Sequence, residues 1–394
     1  MADYKYLIIG GGMTAASAID GIREVDAEST IGLITADTQP PYDRPPLSKG
    51  LWTGKKTVEE IMRPAEHANV TYHLGRRAQN MNLAAKHVQD DQGAQHTFDK
   101  LLLATGGTPR RLSFGGDEII YFRTLKDYER LHDLSQEQEN FAVIGAGFIG
   151  SEIAAALAMN GKKVTIITPE NGICSRLFPA EVVSFFNDYY RQKGVEVLTG
   201  ESVAALEGTG TNLSVVTKSK RRIAAHGVVA GIGITPNVEL AQAAGLKVEN
   251  GIVVDQSLRT SHAEVFAAGD VANFFDQTLG LRRRIEHEDL ANTMGKAAGQ
   301  AMAGAQIKFD HSPFFYSDLF EIGYEAVGEL DSRLEVFADW KEKYNTGVLY
   351  YLADGRVRGV LLWNVWGKVD EARALIAAGE KVAAASLQGR IAFE

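Results

Sequence analysis

Two glycine-rich strings in this chain have the spacing that lets a backbone hold a pyrophosphate. The first, Gly10-x-Gly12-x-x-Ala15, follows an apolar run at 6–9 and precedes helical periodicity from residue 13 to about 25. The second, Gly145-x-Gly147-x-x-Gly150, follows the apolar run 141–144 and precedes a helical pattern reaching about residue 159. In each, the first glycine permits a tight turn and the second lets the backbone approach phosphates. The small third residue lets the helix pack closely on its sheet. A helix N-terminus adds free N–H groups and the positive end of its dipole. One such string can be no more than a turn; two copies, each between strands, imply two dinucleotides.

Carboxylates and the single thiol narrow the chemistry. Glu170 ends the second strand of the second module, where a carboxylate accepts hydrogen bonds from a ribose 2′-OH and repels a 2′-phosphate. That favours NADH over NADPH; the alternative, that Glu170 caps the turn of residues 169–172, stays open. The matching place in the first module is Ala36 with Asp37 beside it, so the ribose carboxylate there is displaced or missing. Cys174 is the only cysteine of 394 residues, which excludes a Cys-x-x-Cys dithiol and leaves either a structural filler or a lone redox thiol. A net charge of −9 argues against a nucleic-acid partner, and the basic run 218–222 reads as a solvated face. No metal is expected. With no apolar leader and no apolar run of spanning length, the reading is a cytoplasmic protein without membrane contact.

The elements that must position these residues are α/β in class. Two Rossmann-like modules start near residues 6 and 141. An apolar strand at 101–104 runs into Thr105-Gly106-Gly107, another at 228–234 carries Gly231 and Gly233, and a third at 265–268 ends in Gly269-Asp270. From about residue 312 the pattern changes. Runs at 348–351 and 357–362 flank Ala353-Asp354-Gly355, a hairpin signal, and a helix is expected over 369–378. The tail is therefore a separate α+β unit.

Longer motifs now become specific. The segment Pro41-Tyr42-Asp43-Arg44-Pro45-Pro46-Leu47-Ser48-Lys49 resembles the signature of ferredoxin-reductase-like flavoproteins, as do the stretches 101–110, 145–154 and 266–274. These belong to the FAD-dependent pyridine nucleotide-disulfide oxidoreductase superfamily, with glutathione-reductase-like architecture. Stretches 282–290, 315–328 and 360–364 are most similar to apoptosis-inducing factor and its prokaryotic relatives. The resemblance implies a discontinuous FAD domain (1–112 and 247–310), an inserted NAD domain (113–246) and a C-terminal interface domain (311–394).

It also implies roles. For FAD they fall on Gly10, Gly12, Ala15, Asp37, Arg44, Lys49, Thr105, Gly106, Gly269, Asp270, Glu286, His287 and Tyr316. For NAD they fall on Gly145, Gly147, Phe148, Ile149, Gly150, Glu152, Glu170 and Gly233. Asp270 is expected on the ribityl chain, and Phe148 over the nicotinamide place. Lys49, near flavin N5, and its partner Glu152 form the implied catalytic pair, since a cation there stabilises electron density arriving with a hydride. An ordinary first-turn glutamate favoured by the helix dipole is the plainer reading of Glu152. Glu286 and His287 open a helix running to residue 302, whose amides would face the flavin pyrimidine; for His287 a positional role is preferred to acid–base work. Tyr316 stands where the family usually has Trp. Without a mitochondrial leader or the long acidic insertion, cell-death signalling is not implied. The expected reaction passes hydride from NADH to FAD. Electrons then leave directly to a ferredoxin- or rubredoxin-type protein, a quinone or oxygen. The alternative is a redox sensor holding a long-lived charge-transfer complex; under either reading the chain is expected as a monomer or homodimer.

Overall fold

The computed structural model describes residues 2–63 and 67–393. Every candidate site residue lies among them; residues 1 and 394, the outer ends of the expected domains, lie outside. The chain divides into two compact units. One comprises Met1–Asp43, Val58–Thr108 and Thr235–Pro313; the other comprises Arg44–Thr57, Pro109–Ile234 and Phe314–Glu394. The short Arg44–Thr57 segment and the C-terminal stretch thus group with the middle module, for reasons that lie in the side chains described below.

The first unit is built on a seven-stranded sheet. Five strands run parallel in the order Val70–His73, Ile31–Ile34, Ala2–Ile9, Gln95–Leu103, Val265–Ala267. Strands His87–Asp90 and Ala78–Asn82 extend the start of Gln95–Leu103 as an antiparallel meander. The parallel strands are nearly continuous apolar runs because both sheet faces are covered; Leu7, Ile8, Leu101, Leu102 and Leu103 are fully buried. Helix Met13–Arg23 packs on helix Glu288–Met302 at backbone contact. A methyl group added at Gly299 would sit on the carbonyl of Ala18, and one at Gly295 on that of Thr14. Thr14 faces Gly295 and Ala18 faces Gly299, so the two helices run in the same direction and their N-termini emerge at the same end.

The second unit carries a five-stranded parallel sheet ordered Val195–Thr199, Lys163–Thr168, Asn140–Ile144, Gly227–Ala230, Ile119–Tyr121. Helix Phe148–Met159 follows its central strand. A three-stranded antiparallel sheet, Val203–Thr209, Asn212–Thr217 and Arg222–Ala225, belongs to the same unit. The C-terminal stretch has a sheet of its own, ordered Phe314–Leu319, Ile322–Gly328, Arg356–Trp363, Thr346–Ala353, Glu335–Glu342. Its hairpin turns at Asp354-Gly355, both at positive φ, as the turn signal requires. Helix Val369–Ala378 follows with the expected bounds. No helix among the described residues is long and apolar enough to cross a membrane.

Gly299→Ala is expected to cost about 1–3 kcal/mol, the usual penalty for overpacking, because its new methyl meets backbone rather than a movable side chain. Denaturant unfolding measures this.

Candidate functional site

In the first unit the expected residues converge at the shared end of the two helices. Gly10 follows strand Ala2–Ile9 at a φ of 125° and lies so close to the Ala104 carbonyl that no side chain fits. Neither helix N-terminus has a side-chain cap: Gly12 and His287 occupy the N-cap positions in extended conformation. The two dipoles point the same way, the first helix with no acidic residue in its first turn and the second with Glu288 and Asp289 there. Gly269 presses against Thr14, which brings Asp270 to this end. Arg284 donates to the Asp270 carbonyl at 3.0 Å and pairs with Glu286 at 2.6 Å. Loss of solvation pushes the His287 imidazole down to about 4; Asp270 opposes this and Arg283 reinforces it. A neutral imidazole at pH 7 agrees with a positional role. Thr105 and Gly106 are clasped by Asn237, whose amide donates to the Thr105 carbonyl at 2.9 Å and whose N–H donates to the Gly106 carbonyl at 3.0 Å. Asp37 accepts from the Tyr42 hydroxyl at 3.0 Å and the Gln39 amide at 3.2 Å, so its carboxylate holds its own loop.

Arg63, which the sequence reading missed, ties this end together. Its guanidinium donates to the Met13 carbonyl (3.2 Å), the Ser17 hydroxyl (3.1 Å) and Asn292 Oδ1 (2.7 Å), and it pairs with Asp43 at 2.7 Å. One cation thus fastens both helices. No motif marks it: it lies more than 220 residues from Asn292, and a lone arginine carries no pattern.

In the second unit the glycines divide their work. Gly150 lies against the Gly145 carbonyl, and a methyl at Gly231 would come within 2.8 Å of the Gly150 nitrogen, so strand ends and helix start touch. A methyl at Gly147 would meet nothing within 4 Å. The N-terminus of helix Phe148–Met159 has neither a side-chain cap nor an acidic first turn, and Ile149 is exposed beside it. An open backbone cradle at the N-terminus of a helix is the kind of site a dinucleotide pyrophosphate needs. Phe148 packs edge-on to Phe315, ring centroids 5.2 Å apart. Glu170 sits past strand Lys163–Thr168, accepting from Thr168 at 2.7 Å and from Arg176 at 2.6 Å. Burial works to raise its carboxyl, but those bonds outweigh it and hold the group below the usual range. Gly233, at φ 88°, takes the Arg110 amide on its carbonyl at 2.9 Å.

Arg44, Lys49 and Tyr316, which the resemblance gives to FAD, belong to this unit too. Arg44 is the N-cap of the 3-10 turn Pro45–Ser48, which ends at Lys49. Lys49 Nζ lies 2.7 Å from Glu152 Oε1 and 5.3 Å from the Tyr316 ring centroid. The Lys49 side chain is 15% exposed and that of Glu152 4%. Glu152 is therefore no solvated first-turn residue. Two hydroxyls unforeseen from the sequence complete its shell: Ser48 donates to Oε2 and Ser317 to Oε1, each at 2.6 Å. Cys174 is buried, and desolvation pushes its thiol up to about 12, so it supplies no thiolate.

These arrangements set two expectations. Gly147→Ala should fold with wild-type stability yet bind NADH more weakly, whereas Gly150→Ala should lose stability; paired melting and titration experiments separate them. His287 should show no imidazole titration by NMR between about pH 5.5 and 8. Its folded value lies below the unfolded 6.5, so it adds instability as pH falls from there towards 4, where the unfolded chain binds the proton first.

Comparison with known proteins agrees with this geometry. Residues 4–295 match the family described as pyridine nucleotide-disulphide oxidoreductase. Segments 298–342 and 336–378 match the C-terminal region of apoptosis-inducing factor, mitochondrion-associated. The chain is 34% identical to apoptosis-inducing factor 1, mitochondrial, of Dictyostelium discoideum, over 95% of this chain and 78% of that protein. It is 32% identical to the ferredoxin–NAD(+) reductase component of the anthranilate 1,2-dioxygenase system of Burkholderia cepacia, over 96% and 95%. The fold is similar to the crystal structure of the covalent putidaredoxin reductase–putidaredoxin complex, with TM-score 0.91, 29% identity and coverage of 98% and 96%. With two glycine-built nucleotide cradles and no dithiol, this chain belongs to the pyridine nucleotide-disulphide oxidoreductase family and is a FAD- and NAD(H)-using, ferredoxin-reductase-like oxidoreductase.

Proposed function

We propose that this chain oxidises NADH, takes the hydride onto FAD, and passes the electrons directly to a small iron–sulfur or rubredoxin-type protein. The buried Lys49–Glu152 pair, at the first turns of the NAD-module helix, carries this reading. A charged pair is costly to bury, and breaking it leaves an uncompensated charge. Placing it beside a nucleotide cradle makes sense where negative charge must be received. Bound FAD supplies the hydride-accepting N5 and releases electrons singly or in pairs.

The chain's own residues do the rest. The helix N-termini at Gly12 and His287 would take the FAD phosphates and the pyrimidine edge, and Asp270 its polyol. Gly147 and the helix amides behind it would hold the NADH pyrophosphate, with Glu170 on the adenosine ribose favouring NADH. Lys49, kept in place by Glu152, would stabilise the incoming negative charge. With a single buried cysteine, no protein disulfide intervenes. The acceptor class is supported by the Burkholderia reductase component and by the putidaredoxin complex. Exposed Lys55 and Lys56, which form no ion pair among the described residues, would suit an acidic partner.

A second reading, a redox sensor with a long-lived reduced state, is supported by the match of 298–378 to the apoptosis-inducing factor C-terminal region. Anaerobic stopped-flow with NADH discriminates. Rapid flavin bleaching with fast reoxidation by an added iron–sulfur protein supports the reductase. Slow reduction into an oxygen-stable, long-wavelength-absorbing complex supports the sensor. Lys49→Met and Glu152→Gln are each expected to slow reduction at least about ten-fold with FAD retained; wild-type rates in both would remove the pair from the mechanism.

A further inference from the structure

We propose that Ser48 and Ser317 are positioning residues for hydride transfer, acting through Glu152 on Lys49, so that the C-terminal sheet completes the catalytic pair. This rests on the role given above to Lys49 and Glu152.

An ion pair alone fixes a distance but leaves a carboxylate free to turn about its Cγ–Cδ bond. Glu152 has no such freedom. Ser48 holds Oε2 from the turn that carries Lys49, and Ser317 holds Oε1 from strand Phe314–Leu319. Both serines are buried, Ser317 completely, so water does not replace a missing hydroxyl without rearrangement. With both oxygens pinned, Oε1 presents a single place for the Lys49 ammonium. The same strand touches Lys49 again one residue earlier, through the Tyr316 ring. Hydrogen bonds to a charged acceptor are the stronger kind, and a buried charge left short of donors is penalised. Removing either hydroxyl therefore loosens the carboxylate and, through it, the ammonium.

The expectation is specific. Ser317→Ala and Ser48→Ala holoenzymes should retain FAD and NADH affinity but reduce flavin about ten-fold more slowly, the effect of one lost hydrogen bond to a charged group. Lys49 should become more reactive towards an amine-directed acylating reagent, read by peptide mass spectrometry, which does not depend on turnover. Ser317→Thr, which keeps the hydroxyl, should recover most of the rate. In a Lys49→Met background, adding Ser317→Ala should slow reduction no further. If Lys49→Met is slow while both serine variants keep wild-type rates and wild-type Lys49 reactivity, the positioning role is wrong and the Lys49–Glu152 reading stands. If Lys49→Met itself reduces at the wild-type rate, that reading fails and takes this proposal with it. Ser48→Ala tests the idea independently should Ser317→Ala fold poorly.

Discussion

A carboxylate removed from water must be surrounded by donors, and the second unit is organised around meeting that demand for Glu152. The donors come from segments far apart in sequence: Ser48 and Lys49 from the Arg44–Thr57 stretch, Ser317 from the C-terminal sheet. Neither segment needs the parallel sheet for its own backbone bonding, yet both are grouped with it. A buried, underpaired charge is costly, so these donors contribute to holding the segments together. The C-terminal sheet is joined by apolar packing as well, with Phe178 and Phe186 set against its Tyr324 and Trp363.

The first unit meets a different constraint with different means. Its helices Met13–Arg23 and Glu288–Met302 pack side by side in the same direction, although like-oriented dipoles repel and side chains would hold the axes apart. Gly295 and Gly299 remove the steric obstacle, and Arg63 spans the helices with bonds to Met13, Ser17 and Asn292. Two helix starts without side-chain caps then face the same way, so the positive ends of their dipoles add at that end of the unit. The second unit has a single such helix and relies on the mutual contact of Gly145, Gly150 and Gly231 to bring strand ends to it.

Much of this was legible in the sequence because its periodicities are local. The strand–turn–helix frames around Gly10 and Gly145, the hairpin at Asp354-Gly355 and helix Val369–Ala378 all follow from spacing within about twenty residues. The Lys49–Glu152 pair was legible only through resemblance, since over a hundred residues separate its members. Ser48, Ser317 and Arg63 were not legible: hydroxyls and single arginines occur everywhere, and their function comes from partners that the topology alone supplies. Glu170 shows the intermediate case. Its position at the strand end was foreseen, but not that Arg176 and Thr168 engage its carboxylate.

Strand Phe314–Leu319 has a consequence for how this chain can vary. Successive side chains alternate between faces; Ser317 bonds Glu152 directly, while for Asp318, its neighbour, burial raises the carboxyl, Lys49 lowers it and Glu152 raises it further. The strand turns directly into Ile322–Gly328 through Phe320, itself at a φ of 61°. Deleting one residue ahead of Ser317 would move Asp318 into its register position and replace a donor to Glu152 with a second acid. The strand behaves as a reading frame, and the buried carboxylate of Glu152 is what punishes a shift.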